Sequence, residues 1–419
     1  MLRKIIFTLA AITIVHLNNH AQSQIDSLDQ FLGSYARPDF VRRSLDLRPS
    51  ISSFIANDLP GQTSASNRLS IGGSAKYIVT KNSDRWQSTN SYYLDTNFAT
   101  RENQGTEAVL NSTVEFNSRY FFAKDRYLAF YNRVNGTLGT AETTNRISSF
   151  NDIGIGFGRV EQVSDAIHVS RLFDMLECAG ILLKEVSVTD LEVLTDTVAV
   201  LKNRRFFDSR LQRIREMEIV TKILSEMGYI EQGDFYSYAI LTDAYVFEQA
   251  SLNFQSGNAL EILIGRDFGY LQDFGWTSAD DARLTVRWER NRVRSKYWSY
   301  QTDIGNTFAY RETEDVPGGR YRCLNNTYLS HKIYYSPTRR ILMSWQNSAN
   351  LAYNILESDF IDQTDKDLNF SSAGSIDYYI SPQLRLSAVA RASVNSTLKE
   401  GEGTYRSFNF NVSMLYSYF

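Results

Sequence analysis

The stretch LRLSAVARASVN, from Leu384 to Asn395, alternates apolar and polar side chains almost without interruption. Leucine, alanine and valine occupy the even-numbered positions, whereas arginine, serine and asparagine occupy the odd-numbered ones except at Val389. A period of two residues places successive side chains on opposite faces of a β-strand. The stretch therefore predicts a strand with one apolar and one polar face, long enough at about 9–11 residues or more to cross a bilayer at a tilt.

The same alternation recurs along most of the chain. In the C-terminal half it predicts eight strands, at about 259–268, 282–290, 296–310, 320–335, 339–354, 367–380, 383–396 and 404–419. In the front half it predicts six strands with weaker patterning, within 48–57, 69–79, 86–99, 108–120, 128–138 and 146–159. The total is about 14, with 12 or 16 left open because the early strands are less regular.

The lengths of the connections give a second, independent indication. The connections at 82–85, 123–126, 291–294, 336–338 and 381–382 are tight, whereas those at 58–66, 267–281, 312–319, 357–366 and 398–403 are mostly longer. Bacterial barrels have short turns on the periplasmic side and longer loops outside. The pattern predicts an all-β membrane barrel with antiparallel, up-and-down strands.

The first 21 residues have the layout of a secretory signal peptide, with a basic start at Arg3 and Lys4, an apolar run and a small-residue cleavage point at Ala21. No later stretch reaches the roughly 18 consecutive apolar residues of a transmembrane helix. Since only helices and closed barrels satisfy every backbone group in lipid, an exported chain of this kind is either soluble or a barrel. Aromatic residues make up 13% of the chain, and its formal charge of −3 argues against a nucleic-acid partner.

Residues 161–250 break the alternation and predict an α-helical insertion between strands 6 and 7. Apolar residues recur there at three-to-four spacing, after helix starts at Ser164-Asp165 and Thr189-Asp190 and before a glycine, Gly228, that suits a helix end. The predicted organisation is a signal peptide at 1–21, a periplasmic extension at 22–47, and barrel segments at 48–160 and 251–419. The insert either lies in the periplasm or folds into the lumen as a plug.

The candidate lumen-facing residues are charged side chains that occupy the polar positions of the alternating strands. They are Arg119, Arg133, Arg283, Arg287, Glu289, Asp303, Arg385 and Arg391. They either line a channel or pair across strands to fill the interior. A second cluster in the insert is a candidate for docking a partner or seating the insert on the barrel, and consists of Arg204, Arg205, Phe206, Phe207 and Arg210. Solvated charge at a helix junction is the alternative there.

Enzymatic function is not expected. Only His168 and His331 remain after the signal peptide, too few and too far apart for a zinc site built on imidazoles. The run from Gly154 to Gly158 lacks the third glycine of a dinucleotide-binding loop, because Arg159 occupies that position. The two cysteines are not expected to form a disulfide framework. We expect no catalytic residue, no metal and no cofactor.

The closing stretch FNFNVSMLYSYF, from Phe408 to Phe419, is similar to the final strand of a known protein family. With the signal peptide, the amphipathic strands and the short inner turns, it resembles the bacterial outer-membrane β-barrel proteins. In that family the final strand is the signal that the barrel-assembly machinery recognises. Here the matching residues are Phe410, Val412, Met414, Tyr416, Tyr418 and Phe419. Phe419 has the opposite parity to the other five in the alternation. The composition is also similar to that of Bacteroidetes secretome proteins.

The resemblance implies a location in the outer membrane of a Gram-negative cell, in contact with lipid and lipopolysaccharide. The expected function is a porin-like channel or transporter for small solutes, whose helical insert gates or plugs the lumen. The insert is unlike the short inner turns of general porins. The alternative is therefore a structural or scaffolding barrel whose periplasmic helices bind a protein in envelope assembly or secretion.

Overall fold

The computed structural model describes residues 31, 35, 39–55, 67–101, 105–140, 145–203, 210–246, 254–271, 275–313, 320–357, 363–381, 384–397 and 404–416. The predicted signal peptide lies outside these residues. Fourteen strands make one sheet, in which each strand pairs antiparallel with its neighbours in the sequence. They are β1 (Phe40–Ile55), β2 (Asn67–Asn82), β3 (Trp86–Arg101), β4 (Gly105–Ala123), β5 (Arg126–Gly139), β6 (Arg146–Gln162), β7 (Gln255–Leu271), β8 (Gly275–Ser295), β9 (Trp298–Thr313), β10 (Arg320–Thr338), β11 (Ile341–Glu357), β12 (Gln363–Tyr379), β13 (Leu384–Thr397) and β14 (Thr404–Tyr416). The predicted antiparallel, up-and-down order of fourteen strands is confirmed.

Several predicted boundaries differ from the structure. The predicted turn at 291–294 lies within β8, whose pairing with β9 continues as far as Val293 opposite Ser299. The first strand begins at Phe40 rather than near residue 48, so it takes in the end of the predicted 22–47 extension. It pairs with β2 without a register break, from Phe40 opposite Asn82 to Ile55 opposite Asn67, because the full length of β2 needs backbone partners. Likewise β7 and β8 extend into the segment predicted as a loop, 267–281, with Leu271 opposite Gly275.

The two faces of the sheet differ in chemistry, as β7 shows most clearly. Ala259, Glu261 and Leu263 are buried. The alternate residues, Leu260, Ile262 and Ile264, are 38%, 38% and 65% exposed. Large apolar side chains are exposed on the same face of other strands, among them Phe98, Phe130, Ile153, Phe308, Trp345 and Phe370. A continuous exposed apolar surface of this kind marks an interaction with protein or membrane.

The sheet curls so that its buried face becomes an inner face. Arg119 of β4 lies 2.8 Å from Glu261 of β7 and 3.6 Å from Glu289 of β8, although three strands separate β4 from β8 in the sheet. A flat sheet would hold these side chains much too far apart, since neighbouring strands are about 4.8 Å apart. We call the face that carries these contacts the inner face and the opposite one the outer face.

The predicted helical insertion between β6 and β7 is confirmed, and its described residues form four helices. They are α1 (Ser164–Cys178), α2 (Val188–Asn203), α3 (Arg210–Glu226) and α4 (Phe235–Val246). Ile167, Leu172, Leu194, Leu224 and Leu241 form a core with essentially no exposed surface. Within the described ranges no helix is both long enough and apolar enough to cross a membrane.

The predicted helix ends are close to the observed ones. The N-terminus of α2 is capped by Ser187, whose Oγ accepts a hydrogen bond from the Asp190 N–H at 3.1 Å, and not by Thr189 or Asp190. Serine is a favoured N-cap because its side chain satisfies an amide that has no partner within the helix. After α3, Gly228 has a φ of 76°, the left-handed conformation that glycine adopts at a helix end.

The insert lies at the end of the sheet that carries the short turns. Arg171 of α1 donates hydrogen bonds to the backbone oxygens of Lys296, in the turn after β8, and Ser336, near the end of β10. On another side of the insert, α2 lies against β1. Asp243 of α4 pairs with Arg340, in the turn after β10, at 3.1 Å. The helices therefore extend over the turn end of the sheet from β1 to the β10–β11 turn.

Adjacent residues of α2 offer a matched test of the helical core. Leu194→Ala should destabilise the insert by about 2–5 kcal/mol, because the side chain is fully buried among the helices. Val193→Ala, at a half-exposed position of the same helix, should change stability by about 0.5 kcal/mol or less. Limited proteolysis of the insert in increasing urea measures both. Equal protection of the two variants would contradict this description of the core.

The insert should also lose stability in acid. The Tyr229 hydroxyl donates a hydrogen bond to Asp190 Oδ2 at 2.7 Å, and this bond, with help from Ser187, lowers the pKa of that carboxyl below its ordinary value of 3.8. A lowered pKa means that the contribution is present above the ordinary value and is lost as the pH falls through the folded value. Tyr229→Phe should flatten the pH dependence of proteolytic protection between about pH 5 and pH 2. An unchanged dependence in that variant would refute the assignment.

Candidate functional site

Glu261 is the most deeply buried carboxylate on the inner face, with 1% of its surface exposed. Its Oε1 accepts hydrogen bonds from the hydroxyls of Tyr127 at 2.8 Å and Tyr131 at 2.7 Å, and it lies 2.8 Å from Arg119 Nη2. Burying a carboxylate is costly unless it is paired and hydrogen-bonded. Two strands supply the three donors that meet this requirement.

A glycine makes the reach from β5 to β7 possible. Tyr127 of β5 lies opposite Gly156 of β6, and Gly156 lies opposite Glu261 of β7. A Cβ added to Gly156 would overlap the Tyr127 ring. Because Gly156 has no side chain, the ring lies across β6 and its hydroxyl reaches the carboxylate two strands away.

The same arrangement occurs in two further rows, and we call the three together the glycine rows. In the second row Gly265 separates Asp152 from Arg283, and Arg283 Nη2 lies 2.7 Å from Asp152 Oδ1. In the third row Gly305 separates Arg287 from Tyr328, whose ring occupies the space above the glycine. The first two rows bring polar side chains into contact across the strand that carries the glycine. In the third row the Tyr328 hydroxyl donates a hydrogen bond at 3.4 Å to Asp303 Oδ1, on the same strand as Gly305.

The first and third rows join one ionic network of Arg119, Glu261, Arg287, Glu289 and Asp303, and the second row lies beside it. Arg287 makes a bidentate contact with Asp303, at 3.1 Å from Nε and 3.0 Å from Nη2. Glu289 lies 3.6 Å from Arg119 and 3.8 Å from Arg287 and accepts a hydrogen bond from Asn291 at 2.7 Å. Bidentate arginine–carboxylate pairs are strong and geometrically specific. The network is therefore a fixed band from β4 to β9 rather than a set of mobile surface charges.

Two cavities adjoin the ionic network. The turn-side cavity, of about 370 Å³, extends toward the insert and contacts Asn82, Gln87 and Glu289. The loop-side cavity, of about 480 Å³, extends the other way and contacts Asp152, Arg283 and Tyr328. Asn117, Tyr131 and Arg287 line both cavities. The network consequently forms the boundary between two polar spaces on the inner face.

The predicted lumen-facing residues fall into two groups. Arg119, Arg287, Glu289 and Asp303 meet in the ionic network, and Arg283 lies beside it in the second glycine row. Arg133 is largely exposed and pairs with Glu115 at 3.3 Å, and Arg385 pairs with Asp377 at 3.7 Å. Arg391 is exposed on β13, three strands or more from the network. The structure thus gathers five of the eight and leaves the other three apart.

Sequence reasoning missed residues that are central to the site: Glu261, Tyr127, Tyr131, Asp152, Tyr328 and Asp267. The last of these is the second partner of Arg283, with its Oδ2 2.8 Å from Arg283 Nη1. A signal for Glu261 was present, because Leu260, Ile262 and Ile264 define the apolar face and leave Glu261 on the other one. The glycines at 154, 156 and 158 lie within β6, as expected for small strand residues rather than a nucleotide loop.

Other candidates can be placed only in part. Arg204, Arg205, Phe206 and Phe207 lie outside the described residues, and Arg210 is described only as the first residue of α3. Phe410, Val412 and Met414 are exposed on β14, whereas Tyr416 ends that strand, and Tyr418 and Phe419 lie outside the described residues. His168 is buried in α1, and His331 Nδ1 lies 2.9 Å from the Thr302 hydroxyl. Both cysteines are free.

Metal ligation is not indicated in the part of the chain that the structure describes. Among those residues, no group of three or more histidine, cysteine, aspartate or glutamate side chains could hold a metal ion. The carboxylates of the ionic network have arginine and tyrosine neighbours instead.

No protein-family model matches the sequence, and no curated protein matches it either. Among solved structures, an outer membrane channel from Pseudomonas putida F1 is similar over 92% of this chain and 97% of its own, with 9% identity and a TM-score of 0.29. The β domain of the Bordetella autotransporter BrkA matches 91% of this chain and 100% of its own, with 8% identity and a TM-score of 0.28. A loop-deletion mutant of OmpT, an outer membrane protein of Vibrio cholerae, matches 91% and 98%, with 8% identity and a TM-score of 0.30. Values this low establish no shared function.

The first glycine row can be tested with a matched pair of substitutions. Gly156→Ala should destabilise the folded sheet by about 1–3 kcal/mol, because the new methyl group must displace the Tyr127 ring. Gly374→Ala, in β12, places its methyl group where no atom lies within 4 Å and should be neutral or slightly stabilising. Unfolding in urea, followed by tryptophan fluorescence, compares them. Similar destabilisation of both variants would contradict the role given to Gly156.

Proposed function

We propose that this protein is an outer-membrane β-barrel of a Gram-negative cell, with its strands crossing the bilayer and β14 closing against β1. The observation that carries the proposal is the division between an exposed apolar outer face and a charged, hydrogen-bonded inner face. In water an outer face of this kind would favour aggregation, whereas in a bilayer it is the surface that lipid requires. Outer-membrane lipid and lipopolysaccharide, together with the barrel-assembly machinery, are its proposed partners.

Within this location, the proposed activity is passage of small solutes through the barrel, as in porin-like channels and transporters. The two polar cavities on the inner face support this activity, because a packed apolar interior would leave no path for water or solute. The ionic network is the proposed constriction between them. No catalytic group, metal or cofactor is part of the proposal.

The helical insert is the proposed closing element at the turn end. Arg171 is buried and also donates to the Ser336 Oγ at 3.1 Å, so one guanidinium joins α1 to the turn after β8 and to the end of β10. Burial lowers the pKa of Arg171 to about 10, which leaves it a cation at neutral pH. Beside it, Asp174 of α1 pairs with the Lys296 ammonium. These contacts can hold the insert over the end of the barrel.

A structural or scaffolding role is the second candidate function. It is favoured by apolar side chains that the insert exposes, of which Phe235 and Tyr236 at the start of α4 are the largest. Leu183, Val188 and Val193 are exposed elsewhere on the insert. In this role the periplasmic helices would bind a protein in envelope assembly or secretion, and the barrel would serve as their anchor.

Single-channel recording of the purified protein in planar bilayers tests the channel proposal. The intact protein should be mostly closed, and deletion of residues 163–250 should produce stable conductance steps. Arg171→Leu should raise the open population about 5- to 150-fold, because loss of the buried donor destabilises the closed state by about 1–3 kcal/mol. Arg340→Leu removes a half-exposed pair with Asp243 and serves as the control with little effect.

Silent bilayers from both the intact protein and the deletion variant would refute the channel and favour the scaffold. Correct assembly must be verified in each variant by a difference in gel mobility between boiled and unboiled samples. Identical mobility of the intact protein before and after boiling would contradict the barrel itself.

A further inference from the structure

The turn-side cavity has a composition that the ionic network alone does not explain. Its lining is rich in uncharged polar side chains drawn from several strands, namely Thr80, Asn82, Gln87, Thr89, Asn117 and Gln255. Amide and hydroxyl groups present both donors and acceptors at fixed positions. Such a wall suits a ligand that also offers many donors and acceptors and carries no net charge.

Apart from Lys81, the charged residues that line this cavity have partners in the protein. Arg119 lies against Glu261, Arg287 holds Asp303, and Glu161 pairs with Arg159. Glu289 lies between Arg119 and Arg287. A charged solute would have to break these pairs and leave a buried charge uncompensated, which is costly. A neutral solute can use the amides and leave the network intact.

Asn82 gives a specific indication of a missing ligand group. Only 7% of the residue is exposed, and its Oδ1 accepts a hydrogen bond from Gln87 Nε2 at 3.0 Å. Its Nδ2, also buried, has no hydrogen-bond partner among the described residues. A buried donor without a partner costs about 1–3 kcal/mol, so a hydroxyl or carbonyl oxygen in the cavity would be stabilising there.

The volume and the aromatic lining of the cavity restrict the class of ligand further. The volume of about 370 Å³ lies near the lower end of the range for small-molecule sites, about 300–1,000 Å³. Phe40 and Tyr131 also line the cavity and offer aromatic surfaces to the C–H face of a sugar ring. A small saccharide has such apolar faces together with a rim of hydroxyls.

We propose that the turn-side cavity binds a neutral mono- or disaccharide between the ionic network and the helical insert. The inference rests on the proposed channel function and names the class of solute that the channel takes. Hydroxyl groups of the sugar pair with the Asn82 amide and its polar neighbours, and a ring face packs against Phe40 or Tyr131. The compensated charges select against ionic solutes.

Isothermal titration calorimetry of the intact protein in detergent tests this site, with maltose as the probe and sodium glutamate as the charged competitor. Maltose should bind saturably, and glutamate should give no heat of binding. Asn82→Leu should weaken maltose binding about tenfold, the effect of losing one buried hydrogen bond. Asn326→Leu changes the same residue type in the loop-side cavity and should bind maltose as the unaltered protein does.

The outcomes separate this inference from the channel proposal, because calorimetry requires no conduction. Absence of maltose binding, binding of glutamate in its place, or equal affinity of Asn82→Leu and the unaltered protein would each overturn the saccharide site. Where Asn82→Leu does not assemble, as shown by gel mobility, Gln87→Leu takes its place with the same expected loss. Maltose binding by a protein that never conducts would leave the site standing and refute the channel.

Discussion

The burial of Glu261 on the inner face is the constraint on which the surrounding structure depends. A carboxylate that has lost nearly all contact with solvent must recover the hydration energy from fixed donors. Arg119, Tyr127 and Tyr131 supply them from β4 and β5, across the intervening strand β6. Because these donors can meet the carboxylate only if the sheet curls, the pairing is tied to the curvature of this wall.

Glycine residues in the curved wall make room for side chains of the neighbouring strands. At Gly156 and Gly265 the absence of a side chain lets residues of the flanking strands contact one another, and at Gly305 it leaves room for the Tyr328 ring. Glycine weakens a strand, and one inside a strand often marks a close approach of other groups. Here the three glycines lie within the densest set of ion pairs on the inner face. Their local cost is therefore offset by the polar contacts that they permit.

Buried polar contacts join the insert to the sheet, alongside the packing of Phe254 and Val293 into the helical core. Arg171 engages backbone oxygens near two turns at once, and Val163 of the β6–α1 junction donates to the Phe254 oxygen at 2.9 Å. Hydrogen-bonded contacts of this kind have specific geometry and can be broken without exposing a large core. This property agrees with the closing role proposed for the insert.

The alternation in Leu384–Asn395 and its counterparts was sufficient to predict the number and order of the strands, since period-two patterning and turn length are local properties. The face of each charged residue followed from the same parity. The partners did not, because Glu261 and Tyr127 are 134 residues apart and meet only through an intervening glycine. The predicted extension at 22–47 overlaps the first strand, because pairing with β2 continues from Ile55 back to Phe40.

The central claim is that a lipid-facing surface and a polar interior alternate residue by residue along each strand. Nitroxide labels placed one at a time at residues 259 to 265 of β7 test it in lipid vesicles, through their collision rates with oxygen and with a water-soluble nickel chelate. Labels at 260, 262 and 264 should favour oxygen, and those at 259, 261, 263 and 265 should be shielded from oxygen in the lipid, giving a period of two. Uniform access of the nickel chelate to all seven positions, or no periodicity, would contradict the account.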